Sequence, residues 1–132
     1  RFAAIESVPA SEYIRRVTRI AEMAAEAQPV FEQVDAIVGP TIPITPPKLA
    51  DLQSVEAYSA ANLQSLRNTS VGNILGLSGV TLPVGLDRAG MPVGLQVLTL
   101  NGADEQVLAM AVAFERVLGT PRQRLGTPAM CA

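Results

Sequence analysis

Four prolines fall within eight residues, at positions 40, 43, 46 and 47, and they limit what the chain can fold into. Proline donates no backbone hydrogen bond and clashes with the preceding helical turn, so residues 40–50 cannot form regular structure. The apolar run Asp35–Gly39 leads into them and ends in Gly-Pro, which is typical of a buried strand. We therefore predict a strand followed by a stiff, extended loop. Such loops line ligand sites at strand ends in open α/β sheets, although a plain surface connection has the same pattern.

Helical patterns lie on both sides of this loop. Residues 11–28 repeat apolar side chains at helical spacing, with Ser11 as the predicted N-cap and Pro29 as the predicted end. The same segment holds an acidic residue four positions before an arginine, which predicts an ion pair on an exposed face. A weaker helical pattern covers residues 54–68 and ends in polar residues, and a short apolar turn follows at 73–77.

A β-hairpin follows in the C-terminal half. Two segments rich in β-formers, Val80–Leu86 and Val93–Leu100, flank the turn sequence Asp-Arg-Ala-Gly at 87–90. Pro83 cannot donate to a sheet ladder, so we expect the first of these strands at an edge, or paired on one side only at that point. The strand at 35–39 has no neighbour within reach of a short turn, and we expect it to join the hairpin across a long connection.

The last helix is predicted to begin after Asn101 as its cap and to end at Gly119, with 120–132 as a tail. Its predicted apolar face consists of Val107, Met110, Ala111, Phe114, Val117 and Leu118. The order of elements gives an α/β fold class, with a small mixed sheet and helices packed on it. A sheet with so few strands leaves bare edges, which indicates that something else normally covers them.

Composition excludes several kinds of function. The net charge is -2 and there is no basic stripe, so nucleic acid is not an expected partner. No apolar run is long enough to cross a bilayer, so a membrane is not expected either. The absence of histidine rules out a Ser-His-Asp or Cys-His site, and no metal or cofactor is expected. The single cysteine, Cys131, excludes a disulfide framework and favours a cytoplasmic location.

Only 17% of residues are charged, which predicts either a neutral surface or one that packs against another lobe or protomer.

Three motifs occur in the order and with the spacing found in amidase-signature enzymes. They are the run from Asp35 to Pro43, the block from Asn68 to Gly85, and Gly-Met-Pro-Val-Gly-Leu-Gln at 90–96. Together with the helix that starts at Ala10-Ser11-Glu12-Tyr13 and the helix that carries Asp104-Glu105 and Phe114-Glu115, the ordered set covers roughly residues 8–119 and resembles the C-terminal portion of an amidase-signature hydrolase. The resemblance implies that 1–132 is the C-terminal lobe of such an enzyme and belongs to a larger α/β/α sandwich.

Members of this family hydrolyse carboxamide C–N bonds with a Ser-cisSer-Lys triad. In the family the serines lie in a Gly/Ser-rich run upstream of the region matched here, and no such run occurs in this sequence. Ser78 and Lys48 do not match the triad positions, so no catalytic residue is expected. The parent family is an amide hydrolase, but the chain alone is predicted to be inactive.

The resemblance places the Pro-rich loop and the helix-to-strand region at the substrate cleft. It implies substrate-binding roles for Thr41, Asn68, Thr69 and Asn73, whereas Asn and Thr near helix ends commonly cap those ends instead. Where the glutamine-dependent transamidation members of the family carry an aspartate, this sequence has Leu66, which favours a general amidase or an allophanate-hydrolase-like enzyme.

The expected partners follow from the same resemblance. They are the missing N-terminal catalytic core and a small-molecule amide substrate, and the isolated chain is expected to form a homodimer through its bare surfaces. An alternative hypothesis is a free-standing, non-catalytic interaction or scaffold module derived from an amidase.

Overall fold

A computed structural model describes residues 7–127 of the chain; Cys131 and the last part of the predicted tail lie outside this range. The α-helices and strands, in chain order, are α1 Ala10–Ala27, β1 Ile37–Pro40, α2 Val55–Leu66, α3 Thr69–Leu75, β2 Ser78–Leu86, β3 Pro92–Thr99, α4 Asp104–Leu118 and α5 Pro121–Leu125. Short 3₁₀ turns occupy Gln28–Glu32 and Leu49–Leu52. None of the described helices is both long and apolar enough to cross a membrane.

The three described strands form one sheet in the order β1-β3-β2. β1 joins the hairpin by pairing with β3, as predicted, so that Val97 at the centre of β3 lies between Val38 and Val80. The α/β class is confirmed. Both described strand pairs are antiparallel, whereas the sequence predicted a mixed sheet. The reason is that β3 returns from a tight turn after β2, and β1 runs in the same direction as β2.

The hairpin and its edge strand also agree with the prediction. β2 lies at an edge of the described sheet, so Pro83 has a strand on one side only, where it lies opposite Gly94. The pairing shifts register between Pro83 and Gly85, where a bulge accommodates the residues around the proline. The turn closes at Gly90, whose φ of 77° is a left-handed conformation that favours glycine.

The core lies between the sheet and α4, which packs on β2 and β3. Val97, Thr99, Val107 and Ala111 are buried there. The predicted apolar face of α4 is confirmed for Val107 and Ala111, but Val117 is 83% exposed. At 100° per residue Val117 points about 80° away from Val107, which places it at the margin of the buried stripe.

α1 has the predicted apolar stripe, but little covers it within the described residues. Ile14 is 63% exposed, and the helix contacts α3 rather than the sheet. Pro29 ends the α-helix as predicted and begins a 3₁₀ turn. The N-cap is Pro9, not Ser11, which lies inside the helix. Glu12 accepts hydrogen bonds from the neighbouring arginines of α1 and forms the predicted exposed ion pair.

The strand predicted as buried at 35–39 is largely exposed, with Ile37 and Val38 both open on β1. Three further local predictions were wrong. The segment predicted as a break and a turn forms α3, because the hydroxyls of Thr69 and Ser70 bond back to the Leu66 carbonyl and the chain restarts as a helix. Ala103, not Asn101, occupies the N-cap position of α4, without a side-chain cap. The predicted tail contains α5, which contacts β2 and is held by a reciprocal capping box. Gly119 ends α4 as predicted, at a φ of 90°.

Candidate functional site

The two faces of the sheet have different surroundings. Side chains alternate along a strand, so Val97 and Thr99 point towards α4, while Gly94, Gln96 and Leu98 point to the opposite side. A Cβ at Gly72 would lie 3.2 Å from Leu98 Cδ2, which shows how closely α3 approaches that second side. Three cavities open on this side, and the predicted site residues line them.

The largest cavity, about 440 Å³, lies between the Pro-rich loop and the hairpin. Its walls are mainly apolar and are formed by residues 41–46 of the loop and by Thr81, Pro83, Asp87, Pro92, Val93 and Gly94. Thr41 is half-buried at its floor, and its Oγ1 lies 3.1 Å from Thr81 Oγ1. The Thr41 amide also donates to the Gly94 carbonyl at 2.8 Å, which continues the β1–β3 ladder into the loop.

Gly94 is necessary for this arrangement. A Cβ at position 94 would lie 2.7 Å from Thr41 Oγ1 and 2.8 Å from Thr81 Cγ2, closer than such atoms approach each other in proteins. The absent side chain therefore lets the two hydroxyl groups meet across β3. The sequence identified Thr41 as a candidate but missed Thr81, because their contact depends on strand register.

The far end of the Pro-rich loop is held by Asp87. Thr45 Oγ1 donates to Asp87 Oδ2 at 2.6 Å, and Asp87 Oδ1 accepts from the amides of Ala89 and Met91. The hydroxyl of Thr45 contributes most to lowering the pKa of this carboxyl group, and the two amides act in the same direction. The carboxylate thus stays charged and fixes the loop to the hairpin turn, a link that the sequence did not reveal.

The other predicted site residues lie beside α3. Asn68 Nδ2 donates to the Pro40 carbonyl at 2.7 Å, which ties the α2–α3 junction to the end of β1. Thr69 Oγ1 donates to the Leu66 carbonyl at 3.2 Å. This bond at the end of α2 is of the helix-capping kind, which the sequence offered as the alternative to substrate binding. Thr69 and Asn73 line a cavity of about 260 Å³, and Asn68 lines another of about 270 Å³ beside β1. The four residues border three adjacent cavities rather than one, and their contact with substrate stays a prediction.

The two residues that could be mistaken for triad members have other surroundings. Ser78 is buried at the start of β2, where it pairs with Thr99. Lys48 is exposed before the second 3₁₀ turn. Asp87 is the only charged residue lining the three cavities within the described part of the chain.

The fold is thus α/β, with helices beside a small antiparallel sheet and a largely apolar cleft that contains one carboxylate, Asp87. A sequence model of the amidase family matches residues 2–108, and the chain belongs to that family.

Two curated relatives and one solved structure illustrate the similarity. The chain is 39% identical over 123 residues to 2-amino-5-chloromuconic acid deaminase from Comamonas testosteroni, covering 93% of this chain and 27% of the relative. It is 31% identical over 124 residues to a fatty acid amide hydrolase from Medicago truncatula, covering 92% of this chain and 20% of the relative. The crystal structure of an amidase matches with a TM-score of 0.67 and 27% identity, covering 86% of this chain and 26% of that protein. The chain thus spans about a quarter of the length of these proteins.

Proposed function

We propose that this chain is the C-terminal segment of a larger amide hydrolase, where it supplies sheet core and part of the substrate pocket wall. One observation carries the proposal. The apolar cavity of about 440 Å³ has a floor of paired hydroxyl groups, Thr41 and Thr81, and walls from the Pro-rich loop. Pockets for small molecules commonly combine apolar walls with a few fixed polar groups.

The chemistry of the three similar proteins supports an amide as the substrate. Their names denote a deaminase, an amide hydrolase and an amidase, and all three words describe reactions at a carbon–nitrogen bond. The names differ in the rest of the substrate, so the common element is the C–N bond alone. Thr41, Asn68, Thr69 and Asn73 would orient the amide group, and no cofactor is required.

We assign the bond-breaking step to another part of the polypeptide. A serine nucleophile needs a base within hydrogen-bond reach. Ser78 is buried in the sheet, and Lys48, the only lysine of the sequence, is exposed in the loop. No peptide bond among residues 7–127 is cis, whereas the family's bridging serine has one.

The bare surfaces favour a missing catalytic core as the partner. Val38 is 53% exposed on β1, and the outer edges of β1 and β2 have no strand partner within the described sheet. The apolar stripe of α1 is uncovered as well. Unpaired edges and contiguous apolar surface are costly in water and are usually covered.

The size of the native gene product tests the proposal. An immunoblot with an antibody raised to this chain should give a band several times larger than 13.9 kDa, in the cytosolic fraction. The complete polypeptide should then release ammonia from simple carboxamides, and residues 1–132 alone should release none. A band near 13.9 kDa would instead support the scaffold-module alternative, for which light scattering should show a homodimer. Ammonia release by the 132-residue chain itself would contradict the assignment of catalysis to another segment.

A further inference from the structure

Gln96 has a buried polar group that the described structure leaves unused. It lies in the middle of β3 and is 8% exposed. Its Oε1 has no hydrogen-bond partner among residues 7–127 and almost no contact with solvent. A buried acceptor without a donor costs free energy, so such an atom in a native protein calls for an explanation.

The surroundings of Gln96 provide space for a ligand. The residue borders both smaller cavities, of about 260 and 270 Å³, which open on the same side of the sheet. Its partners in register are Gly39 on β1 and Thr81 on β2. Nothing lies within 4 Å of where a Cβ of Gly39 would stand. The terminal torsion of a glutamine is soft, so the carboxamide can turn towards either cavity.

A second buried acceptor provides a contrast. Thr99 Oγ1 also lacks a partner among the described residues, but Thr99 points to the α4 side of the sheet. It lines none of the three cavities described above. Of these two residues, Gln96 alone combines an unused acceptor with open space.

The cavity shared by Gln96 and α3 determines which chemistry fits. Its polar side chains are Thr69, Asn73, Thr81 and Gln96, and none of the nine lining residues is charged. Such a set can both donate to and accept from a neutral group, but it provides no counter-ion for a carboxylate.

We propose that Gln96 Oε1 accepts a hydrogen bond from the N–H of a neutral carboxamide bound in this cavity. The proposal rests on the proposed function and adds to it a specificity-determining residue. The carboxylic acid left after hydrolysis is ionised and has no N–H to donate to Gln96 Oε1, and the cavity provides no counter-ion for it. The site therefore prefers the amide over the corresponding acid, which favours release of the product.

Binding of propionamide and propionate to the complete polypeptide that carries this segment tests the proposal. Ligand-observed NMR gives both dissociation constants for the wild type and for Gln96→Met, which keeps the length of the side chain and removes the acceptor. Loss of one neutral hydrogen bond should weaken propionamide binding about five- to tenfold and leave propionate unchanged. Gln106→Met, at an exposed position of α4, is the matched control and should change neither value.

Several outcomes would overturn the proposal. One is equal binding of propionamide and propionate by the wild type, and another is an unchanged propionamide constant in Gln96→Met. Destabilisation of Gln96→Met without any change in ligand preference would mean that the acceptor pairs with another part of the polypeptide. If Gln96→Met does not fold, Thr81→Val removes a neighbouring hydroxyl from the same cavity and should also weaken propionamide selectively. Failure of the proposed function is distinguishable, because the wild type would then release no ammonia while its binding preference could still be measured.

Discussion

Replacement of Gly94 by alanine probes the packing that brings Thr41 and Thr81 together. The new methyl group would stand 2.7 Å from Thr41 Oγ1 and 3.3 Å from Thr41 Cβ. Relief of this contact requires Thr41 to move away, which breaks its hydrogen bond with Thr81. We therefore expect both a loss of stability and an opening of the floor of the largest cavity.

The magnitude combines three terms. Overpacking a close contact costs about 1–3 kcal/mol. Loss of a neutral hydrogen bond costs about 0.5–1.5 kcal/mol. The reduced freedom of the unfolded chain returns about 0.4–1 kcal/mol, because Gly94 is not among the described glycines with positive φ. The net destabilisation is about 0.5–4 kcal/mol, which lowers Tm by roughly 2–16 °C for a chain of this size.

Gly39→Ala is the matched control. Gly39 lies opposite Gln96 on β1, has ordinary φ, and has nothing within 4 Å of the added methyl group. This variant should be neutral or stabilised by up to about 1 kcal/mol. Urea unfolding followed by far-UV circular dichroism measures both variants. If Gly94→Ala proves as stable as Gly39→Ala, the steric argument for Gly94 is refuted.

Three further predictions concern the loop, α1 and the core. Thr45→Val removes the hydrogen bond that most lowers the pKa of Asp87, so NMR titration should show that pKa rising towards its ordinary value of 3.8. A lowered pKa of Asp87 stabilises the folded state above pH 3.8, and this stabilisation is lost as the pH falls through the folded-state pKa. On acidification below about pH 4, Thr45→Val should therefore lose less stability than the wild type. The hydrogen bonds from Arg15 and Arg16 lower the pKa of Glu12 to about 2. The stability that Glu12 gives to α1 should therefore fade as the pH falls from 4.5 to 2, and far-UV circular dichroism should show this loss of helicity in the wild type but not in Glu12→Gln. Val97→Ala should lower the free energy of unfolding by about 2–3 kcal/mol, because this side chain is fully buried. Val117→Ala, at an exposed position, should change it by no more than about 0.5 kcal/mol in the same urea assay. Equal losses of stability in the two variants would contradict this placement of the core.

Structural features that depend on residues close together in the sequence could be predicted from it. The hairpin around residues 87–90, the edge position of Pro83 and the end of α4 at Gly119 each depend on local turn chemistry. α3 was missed because Thr, Ser, Gly and Asn have low helix propensity. Tertiary packing overrides that propensity, since Gly72 lets the helix lie against Leu98.

At the candidate site, even less could be predicted from the sequence, because its contacts join residues that are far apart in the chain. The composition of the Pro-rich loop left a ligand site and a surface connection both open, and the resemblance to amidase-signature enzymes predicted the loop as a pocket wall and Thr41 as a binding residue. The pairings that fix the loop, Thr41 with Thr81 and Thr45 with Asp87, join positions 40 and 42 residues apart. They follow from the register of β1 and β2 on β3, which a single sequence does not specify. Gln96 was part of a recognised motif, but its unsatisfied oxygen is visible only when both neighbouring strands are in place.

The position of β3 in the sheet has a consequence for synthesis of the chain on the ribosome. β3 is the last of the three described strands to be translated, yet within residues 7–127 β1 and β2 pair only with it. Ile37 pairs with Leu98, and almost half of the chain lies between them. The edge of β1 that pairs with β3 must therefore stay unpaired until residue 99 has left the exit tunnel, with apolar Ile37 and Val38 open to non-native contacts. Contacts this distant form slowly and expose nascent chains to aggregation, so chaperone binding during translation should concentrate on the segment that contains β1.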